Sequence, residues 1–275
     1  MNNYVRKIAS EYNIPINKIT IKNNTRIIDD KIVLKKKKNN NLNNVYKYLK
    51  SRSFDYFPEP ITIDNLYEVY PFLEDTYEPS EQKATAAKRM GVSTKSASRC
   101  FDELEYLNNF YNDLITMIEK EVYMSPSGYL IARNINIIFG SIYYAKHNLE
   151  EWYKKIDNNK NERVVNIHNN ISLDHYIKNE KPYLISWNKS RIDSPIYDLL
   201  YFYKNHYLDF DFDDLFRFYE SGYPLKEDER LLLFTYMAIP YKIEIISDEY
   251  EMCIKINKMI EYLYKTSNLI MNYHS

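Results

Sequence analysis

The sequence predicts an α+β protein with two lobes, a small β-rich N-terminal lobe and a large, mainly helical C-terminal lobe. Three observations support this prediction. Short β-branched runs broken by Asn and Asp fill the first 75 residues, helical periodicity dominates from about residue 80, and a strand and hairpin interrupt the helices between residues 164 and 187. We therefore place the lobe boundary after residue 75, giving lobes 1–75 and 76–275.

The size and composition of the chain allow a sizeable core and exclude several classes of protein. Its 275 residues, 45% of them hydrophobic, are enough for one two-lobed domain. With 37 basic and 38 acidic side chains the net charge is −1, so no overall field favours nucleic acid or an anionic membrane. Two cysteines exclude a disulfide scaffold. No signal peptide or membrane span is predicted, and a cytoplasmic location is expected.

In the N-terminal lobe, the pattern alternates between strands and one helix. Residues 42–51 have helical spacing, with Leu42, Val45, Tyr46 and Leu49 on one face. The lysine run at 35–38 is typical of a solvated edge strand, whose charges discourage pairing with another chain. Strands are predicted at 18–22, 25–28 and 31–37, and a hairpin around Asp64-Asn65 is predicted to join 61–63 to 66–72.

In the C-terminal lobe, long helices surround one strand and hairpin. Residues 104–122 carry an apolar stripe that includes Leu104, Leu107, Phe110, Tyr111, Leu114, Met117 and Ile118. The remaining predictions are a helix from 129 to about 156, a strand at 164–167, a hairpin strand at 183–187, and helices after Asp198 with breaks at 222–224 and at Pro240.

Residues 164–203 contain the most informative motif. The strand VVNI leads into His168-Asn169-Asn170, the hairpin strand follows, and Pro195 with Asp198-Leu199 opens a helix. This layout resembles the aminoglycoside/choline-kinase branch of the protein-kinase-like fold, where H-G-D-x-x-x-x-N precedes a hairpin with I-D-W/F and then P-x-x-D-L. The tail at 219–246 is similar to CotS/YutH-type spore-coat proteins. The resemblance implies a two-lobed kinase-like fold, and a spore-coat association if the source forms spores.

The positions to which this resemblance assigns phosphotransfer chemistry carry other residue types. Asn170 occupies the position of the Asp that acts as the base in active relatives, and an amide cannot take the proton. Loss of a positioned base costs about 10²–10⁴ in rate. His175 occupies the position of the Asn that binds Mg²⁺, and Ser186 occupies the position of the metal-binding Asp of the I-D-W motif. Neither an imidazole nor a single neutral hydroxyl is a good ligand for a hard cation. We therefore predict no catalytic residue and no metal site.

Other positions of the motif are predicted to be structural. His168 would brace the loop through backbone carbonyls, Trp187 would pack beneath the hairpin, and Asp198 would cap a helix or accept bonds from loop amides. Lys35 matches the strand lysine that contacts phosphates and is the candidate nucleotide-binding residue, but no glycine precedes it at 22–30, which makes close backbone approach to a phosphate harder. A cleft would be lined by Lys35, Tyr67–Phe72, Asn170, His175 and Ser186.

Three functional hypotheses follow. The first is a non-catalytic kinase-like module that binds or scaffolds an unknown protein or small molecule. The second is an atypical ATP-dependent small-molecule phosphotransferase that holds Mg²⁺ through Asp174 or another acid such as Asp193; ATP and Mg²⁺ are expected only in this case. The third is DNA binding through residues 86–99, AAKRMGVSTKSASR, which resemble a helix-turn-helix. Nucleic acid is otherwise not expected as a partner.

Overall fold

The computed structural model describes residues 3–22, 25–37, 42–63, 67–73, 88–91, 94–157, 161–179 and 181–274. The chain divides into two compact units. We call them the sheet unit, residues 1–86 with 166–192, and the helical unit, residues 87–165 with 193–275. The α+β class predicted from the sequence is confirmed.

The sheet unit opens with a helix that was not predicted, and then forms an antiparallel sheet. The elements are α1 Asn3–Glu11, β1 Ile19–Lys22, β2 Thr25–Ile28, β3 Ile32–Lys36, α2 Leu42–Ser51, β4 Thr62–Ile63 and β5 Tyr67–Pro71. The strand order in the sheet is β1-β2-β3-β5-β4. Three predicted strands and the predicted helix 42–51 are confirmed within one residue at each end, and the predicted turn at Asp64-Asn65 lies outside the described residues.

The two faces of this sheet pack against different partners, because successive side chains of a strand point to opposite faces. Ile32 and Leu34 of β3 are buried in one cluster with Val5 and Ile8 of α1. Val33 lies against a second cluster formed by α2, which buries the four residues predicted for its apolar face, Leu42, Val45, Tyr46 and Leu49. Both faces of the sheet are therefore covered.

Strand β3 is an interior strand, and this overturns the interpretation of the lysine run as a solvated edge. It pairs with β2 on one side and with β5 on the other. Lys36 is exposed, but Lys35 is half-buried on the face covered by α2. The order of strands in a sheet depends on long-range pairing, which a local lysine run does not encode.

The segment 166–192, predicted to belong to the helical lobe, groups with the sheet unit. The backbone N–H of Leu184 donates to Tyr56 O at 2.7 Å, and Leu184 and Trp187 are buried in the cluster of α2. The predicted hairpin strand also ends earlier, at Leu184 instead of residue 187. The segment comprises a 3₁₀ turn at Leu173–His175, β8 Tyr176–Lys178, β9 Pro182–Leu184 and a second 3₁₀ turn at Trp187–Lys189.

The helical unit has one large apolar core built mainly from its long helices. Six of the seven residues predicted for the apolar stripe of helix α3, Thr94–Glu119, pack in or against this core, whereas Met117 is 64% exposed. No helix among the described residues is long and apolar enough to cross a membrane. The elements are β6 Lys88–Gly91, α3 Thr94–Glu119, α4 Pro126–Asp157, β7 Asn161–Ile167, β10 Arg191–Asp193, α5 Ile196–His206, α6 Phe212–Gly222, α7 Glu227–Ala238 and α8 Glu249–His274; β7 and β10 each run across a boundary between the units.

The predicted helix-turn-helix at 86–99 is not formed. Residues 88–91, where the first helix and its turn would lie, are strand β6, which pairs antiparallel with β7 so that Lys88 is opposite Val164 and Gly91 opposite Asn161. Helix α3 begins at Thr94, and residues 86, 87, 92 and 93 lie outside the described part of the chain. Pairing with β7 uses the backbone groups of 88–91 that a helix would have paired locally.

Candidate functional site

The loop after β7 is anchored by His168, a buried side chain that is 1% exposed. Its Nε2 lies 2.7 Å from Ile185 O, and since a carbonyl only accepts, Nε2 carries the hydrogen. The ring also packs edge-on against Trp187, with centroids 4.7 Å apart. Burial, opposed by the bond to Ile185 O and assisted by the nearby His175, Lys35 and Lys189, lowers the pKa of His168 to about 4. His168 is thus a neutral brace between two segments of the sheet unit.

Asn170, at the position of the base in the resemblance, has its side-chain oxygen engaged by a lysine. Lys189 Nζ donates to Asn170 Oδ1 at 2.9 Å. His175, five residues later, donates from Nδ1 to the backbone oxygen of Asn170 at 2.7 Å. The structure therefore brings Asn170 and His175 together, and it adds Lys189, which was not singled out from the sequence.

Asp174, the candidate substitute acid, is not directed into this cluster. It is an exposed residue of the first 3₁₀ turn, where its backbone N–H donates to Ser172 Oγ at 3.3 Å. The neighbouring His175 is the side chain that turns toward Asn170. The one-residue shift that would make Asp174 a ligand is therefore not seen. The other acid considered, Asp193, accepts from the backbone N–H of Ser194 at 2.8 Å in the helical unit.

Ser186 and Lys35 also meet within the sheet unit. Lys35 Nζ lies 3.5 Å from Ser186 Oγ and 3.3 Å from Asn188 Oδ1. Ser186 has a left-handed backbone, with φ 69° and ψ 39°, and this conformation ends β9 and turns the chain into the second 3₁₀ turn. Asn169, in the facing loop, is also left-handed at φ 56°. Such conformations are uncommon without glycine, and they cluster where a site constrains the backbone.

Glu68 is a further member of this region; it falls within Tyr67–Phe72, the range predicted to line the cleft, but it was not singled out from the sequence. It lies directly opposite Lys35 in the β3–β5 pairing, and residues opposite one another share a face of the sheet. The carboxyl is 2% exposed and accepts from the Tyr70 hydroxyl at 2.9 Å, and Tyr70 in turn contacts the Tyr46 hydroxyl at 3.0 Å. Burial raises the pKa of Glu68, against the opposing effects of Tyr70, Lys35 and Lys37. The sequence predicted a strand at 66–72, which contains Glu68. It did not predict the register with β3 that places Glu68 opposite Lys35.

Besides His168, the two other residues predicted to be structural take different places. Trp187 is 4% exposed, its Nε1 donates to Leu184 O at 2.7 Å, and its ring packs edge-on against Phe54. Asp198 lies in the first turn of α5, where a carboxylate interacts favourably with the helix dipole. It is not the N-cap, which is Pro195 and has no side-chain capping bond.

The residues at the positions to which the resemblance assigns the base and the two metal ligands do not fit Mg²⁺. The oxygen of Asn170 accepts from an ammonium group, His175 offers an imidazole already donating to a backbone oxygen, and Ser186 offers a neutral hydroxyl beside Lys35. Mg²⁺ requires hard oxygen ligands, usually carboxylates, at short distances. Among the described residues, no group of three or more His, Cys, Asp or Glu side chains is placed to hold a metal ion.

Solved structures place the chain among proteins with the protein-kinase-like fold of small-molecule phosphotransferases. The chain is similar to an aminoglycoside phosphotransferase from Alicyclobacillus acidocaldarius subsp. acidocaldarius DSM 446, with a TM-score of 0.67 and 9% identity over 98% of this chain and 96% of that chain. It is also similar to the AMP-bound spectinomycin phosphotransferase, with a TM-score of 0.51 and 13% identity over 98% of this chain and 92% of that chain. No protein-family model and no curated protein sequence matches the chain.

These similarities confirm the fold that was predicted from the motif at 164–203. At 9% and 13% identity they establish the fold alone. Because one fold can host unrelated functions, activity has to be argued from the residues of the site.

Proposed function

We propose that the chain is a non-catalytic binding module with a kinase-like fold. The observation that carries this proposal is the bond from Lys189 Nζ to Asn170 Oδ1 at 2.9 Å. An amide oxygen is too weakly basic to take the proton of an attacking hydroxyl, and an adjacent ammonium group opposes protonation further. The position that the resemblance assigns to the base therefore has neither the charge nor the basicity that phosphoryl transfer uses.

The metal side of the chemistry supports the same proposal. Phosphoryl transfer depends on divalent cations that bridge the phosphates and neutralise developing charge. His175 and Ser186 would supply an imidazole and a hydroxyl where the resemblance assigns an amide oxygen and a carboxylate. Replacing ligands of this kind removes the negative charge that offsets the cost of dehydrating Mg²⁺.

The shape of the loop is nevertheless specified in detail, and this favours binding as the retained role. His168 and His175 each donate to a backbone carbonyl, and Trp187 closes the turn by donating to Leu184 O. Buried polar bonds of this kind hold a loop in one conformation and are costly to break. A surface with a fixed conformation is what recognition of a protein or a small molecule requires.

The proposal is tested by measuring ATP hydrolysis and phosphate transfer with Mg²⁺ and with Mn²⁺ in excess, using aminoglycosides, spectinomycin and choline as acceptors. We expect no metal-dependent turnover by the unaltered protein. The matched variant is Asp174→Asn, which removes the exposed acid of the loop and should change nothing. Metal-dependent transfer that is lost in Asp174→Asn would establish the atypical phosphotransferase instead.

A second experiment restores the residue types that phosphoryl transfer requires. The triple variant Asn170→Asp, His175→Asn and Ser186→Asp replaces the amide, the imidazole and the hydroxyl with the groups that the resemblance assigns. We expect it to gain metal-dependent ATP hydrolysis over the unaltered protein, because a positioned base alone contributes about 10²–10⁴ in rate. Equal activity in both proteins would contradict the assignment of these three positions.

A further inference from the structure

We propose that a cavity of the sheet unit, between the segment 55–59 and strands β5 and β9, binds a free α-amino acid with an apolar side chain. The cavity has a volume of about 280 Å³. Among the described residues that line it, only Pro71 belongs to the range predicted from the sequence to line a cleft. The inference therefore goes beyond the proposed function, because it assigns a second site apart from the loop at 168–170 and 186–189.

The first argument is that part of the apolar wall is fixed by packing inside the sheet unit. Phe57 lines the cavity, is 3% exposed, and stacks on Tyr46 of α2 with ring centroids 4.8 Å apart and planes inclined by 4°. The backbone N–H of Leu184 donates to Tyr56 O at 2.7 Å, which joins this segment to β9. A wall held in this way loses little conformational freedom when a ligand binds, and this favours affinity.

The second argument is the size and the apolar character of the remaining wall. Pro58 is buried, and Pro71, Leu73 and Tyr183 are half-buried, so each can present apolar surface to a ligand. Drug-sized ligands occupy cavities of about 300–1,000 Å³. A cavity of about 280 Å³ therefore suits a smaller molecule with an apolar body, such as one amino acid.

The third argument is the charge of the residues that line the cavity. Glu59 is paired with Lys50 at 2.6 Å, so its charge is offset within the protein. Asp55 and Lys181 are exposed, and neither of them forms an ion pair in the described part of the chain. Lys181 Nζ lies 5.3 Å from the centroid of the Tyr183 ring, a contact that leaves its charge intact. One carboxylate and one ammonium group are therefore available to a ligand.

A zwitterion complements these two charges better than a ligand with a single charge does. The ammonium group of an α-amino acid pairs with the carboxylate of Asp55, and its carboxylate pairs with the ammonium group of Lys181. A simple amine leaves Lys181 without a counter-charge, and a simple carboxylate leaves Asp55 without one. Because hydrogen bonds between charged groups are the stronger ones, the amino acid makes two favourable contacts where the others make one.

The test uses the full chain and measures the binding of L-phenylalanine by isothermal titration calorimetry. Two analogues separate the contributions of the charges: phenethylamine lacks the carboxylate, and 3-phenylpropionate lacks the ammonium group. We expect L-phenylalanine to bind about fivefold more tightly than either analogue, since each exposed ion pair contributes up to about that factor. L-leucine should also bind, because the wall recognises an apolar side chain.

Two single variants connect each charge of the ligand to one residue. Asp55→Asn should weaken the binding of L-phenylalanine and phenethylamine by about threefold to fivefold and leave 3-phenylpropionate unchanged. Lys181→Gln should weaken L-phenylalanine and 3-phenylpropionate by a similar factor and leave phenethylamine unchanged. The matched control is the double variant Lys50→Gln with Glu59→Gln, which removes an ion pair near the cavity without altering the net charge. It should change the affinity for L-phenylalanine by about twofold or less.

Both substituted side chains are exposed, so the variants should fold like the unaltered protein, which circular dichroism checks. The inference is overturned if neither amino acid binds at millimolar concentration, or if both analogues bind as tightly as L-phenylalanine. It is also overturned if Asp55→Asn and Lys181→Gln both leave the affinity for L-phenylalanine unchanged. None of these results depends on ATP or on a metal ion, so each can be read separately from the test of phosphate transfer.

Discussion

Individual side chains in the loop of the sheet unit are held by hydrogen bonds to backbone carbonyls. His168 donates to Ile185 O, His175 to Asn170 O and Trp187 to Leu184 O, each at 2.7 Å. An imidazole that gains a proton keeps its donating N–H group, but the charge of a buried imidazolium is costly. The loop should therefore respond to pH mainly through His168.

We predict that His168 makes the protein less stable in mild acid. Its pKa is about 4 in the folded chain, chiefly through burial, and about 6.5 when unfolded. Between these values the unfolded chain binds a proton that the folded chain does not, so stability falls as pH falls from 6.5 to 4. Urea unfolding at pH 7 and pH 4 should show that His168→Gln, which does not titrate, abolishes about 3 kcal/mol of this loss.

The control for this prediction is His147→Gln, which changes an exposed histidine of α4. The free energy of unfolding of His147→Gln should change with pH in the same way as that of the unaltered protein. If His168→Gln also leaves the loss in acid unchanged, then His168 is not held neutral in the folded state.

At the scale of elements, one buried ion pair joins β7 to the start of α7. Arg163 Nε donates to Glu229 Oε1 at 2.8 Å, and a second guanidinium nitrogen contacts Glu229 Oε2. Arg163 also donates to Pro224 O at 2.8 Å and lies over the ring of Tyr223, 4.1 Å from its centroid. Glu229 accepts from the backbone N–H of Lys226, so the same carboxylate caps α7. The Arg163–Glu229 ion pair therefore connects β7, the turn at Pro224 and the start of α7.

We predict that Arg163→Met lowers the free energy of unfolding by about 3 kcal/mol. The side chain of Glu229 is 4% exposed, and removing its partner leaves a buried carboxylate without its opposite charge. The double variant Arg163→Met with Glu229→Leu should recover part of this loss, because no buried charge then remains. Chemical denaturation of the two variants and the unaltered protein measures both effects.

An exposed ion pair between α4 and α7 gives the matched control. Lys155 pairs with Glu227, and their side chains are 36% and 77% exposed. Lys155→Met should change stability by about 0.5 kcal/mol or less, because solvent screens exposed pairs. If Arg163→Met costs no more than Lys155→Met, the buried pair has no special role in joining β7 to α7.

At the scale of the whole molecule, each unit has its own apolar core. Each unit also contains one of the two tryptophans. Trp187 lies in the cluster of α2, and Trp152 lies in the core of the helical unit. The sheet unit combines two stretches of chain, 1–86 and 166–192, that are far apart in sequence. Single-tryptophan variants can therefore report the unfolding of each unit.

We predict that Leu49→Ala in α2 destabilises the transition reported by Trp187, although the two residues are distant in sequence. Leu49 is 0% exposed and belongs to the same cluster as Trp187, and deleting a buried leucine side chain costs about 2–5 kcal/mol. The measurement is urea unfolding followed by fluorescence in the Trp152→Phe background. In the Trp187→Phe background, the signal of Trp152 should shift less.

Ile138→Ala in α4 provides the converse comparison, because Ile138 is 0% exposed and belongs to the core of Trp152. It should affect the Trp152 transition more than the Trp187 transition. A Trp187 transition that Leu49→Ala leaves unmoved would show that 166–192 does not share the core of the first segment.

Local periodicity predicted most elements well, and long-range pairing explains where it failed. Helix α2 was predicted with its bounds and its buried face, because its apolar residues recur at helical spacing. Strand β6 was mistaken for part of a helix-turn-helix, because a four-residue segment carries too little periodicity to separate the two structures. Met117 was assigned to the apolar stripe of α3, but its side chain is 64% exposed.

The sequence by itself determined the residue types at the motif, and with them the absence of carboxylates at Asn170, His175 and Ser186. It also determined most of the local elements, because helical and strand periodicity are properties of short windows. Only the tertiary structure decided that Lys189 engages Asn170, that Lys35 meets Ser186 from 151 residues away, and that Glu68 lies opposite Lys35. Those contacts depend on strand register and on the packing of distant segments, which no short window of sequence contains.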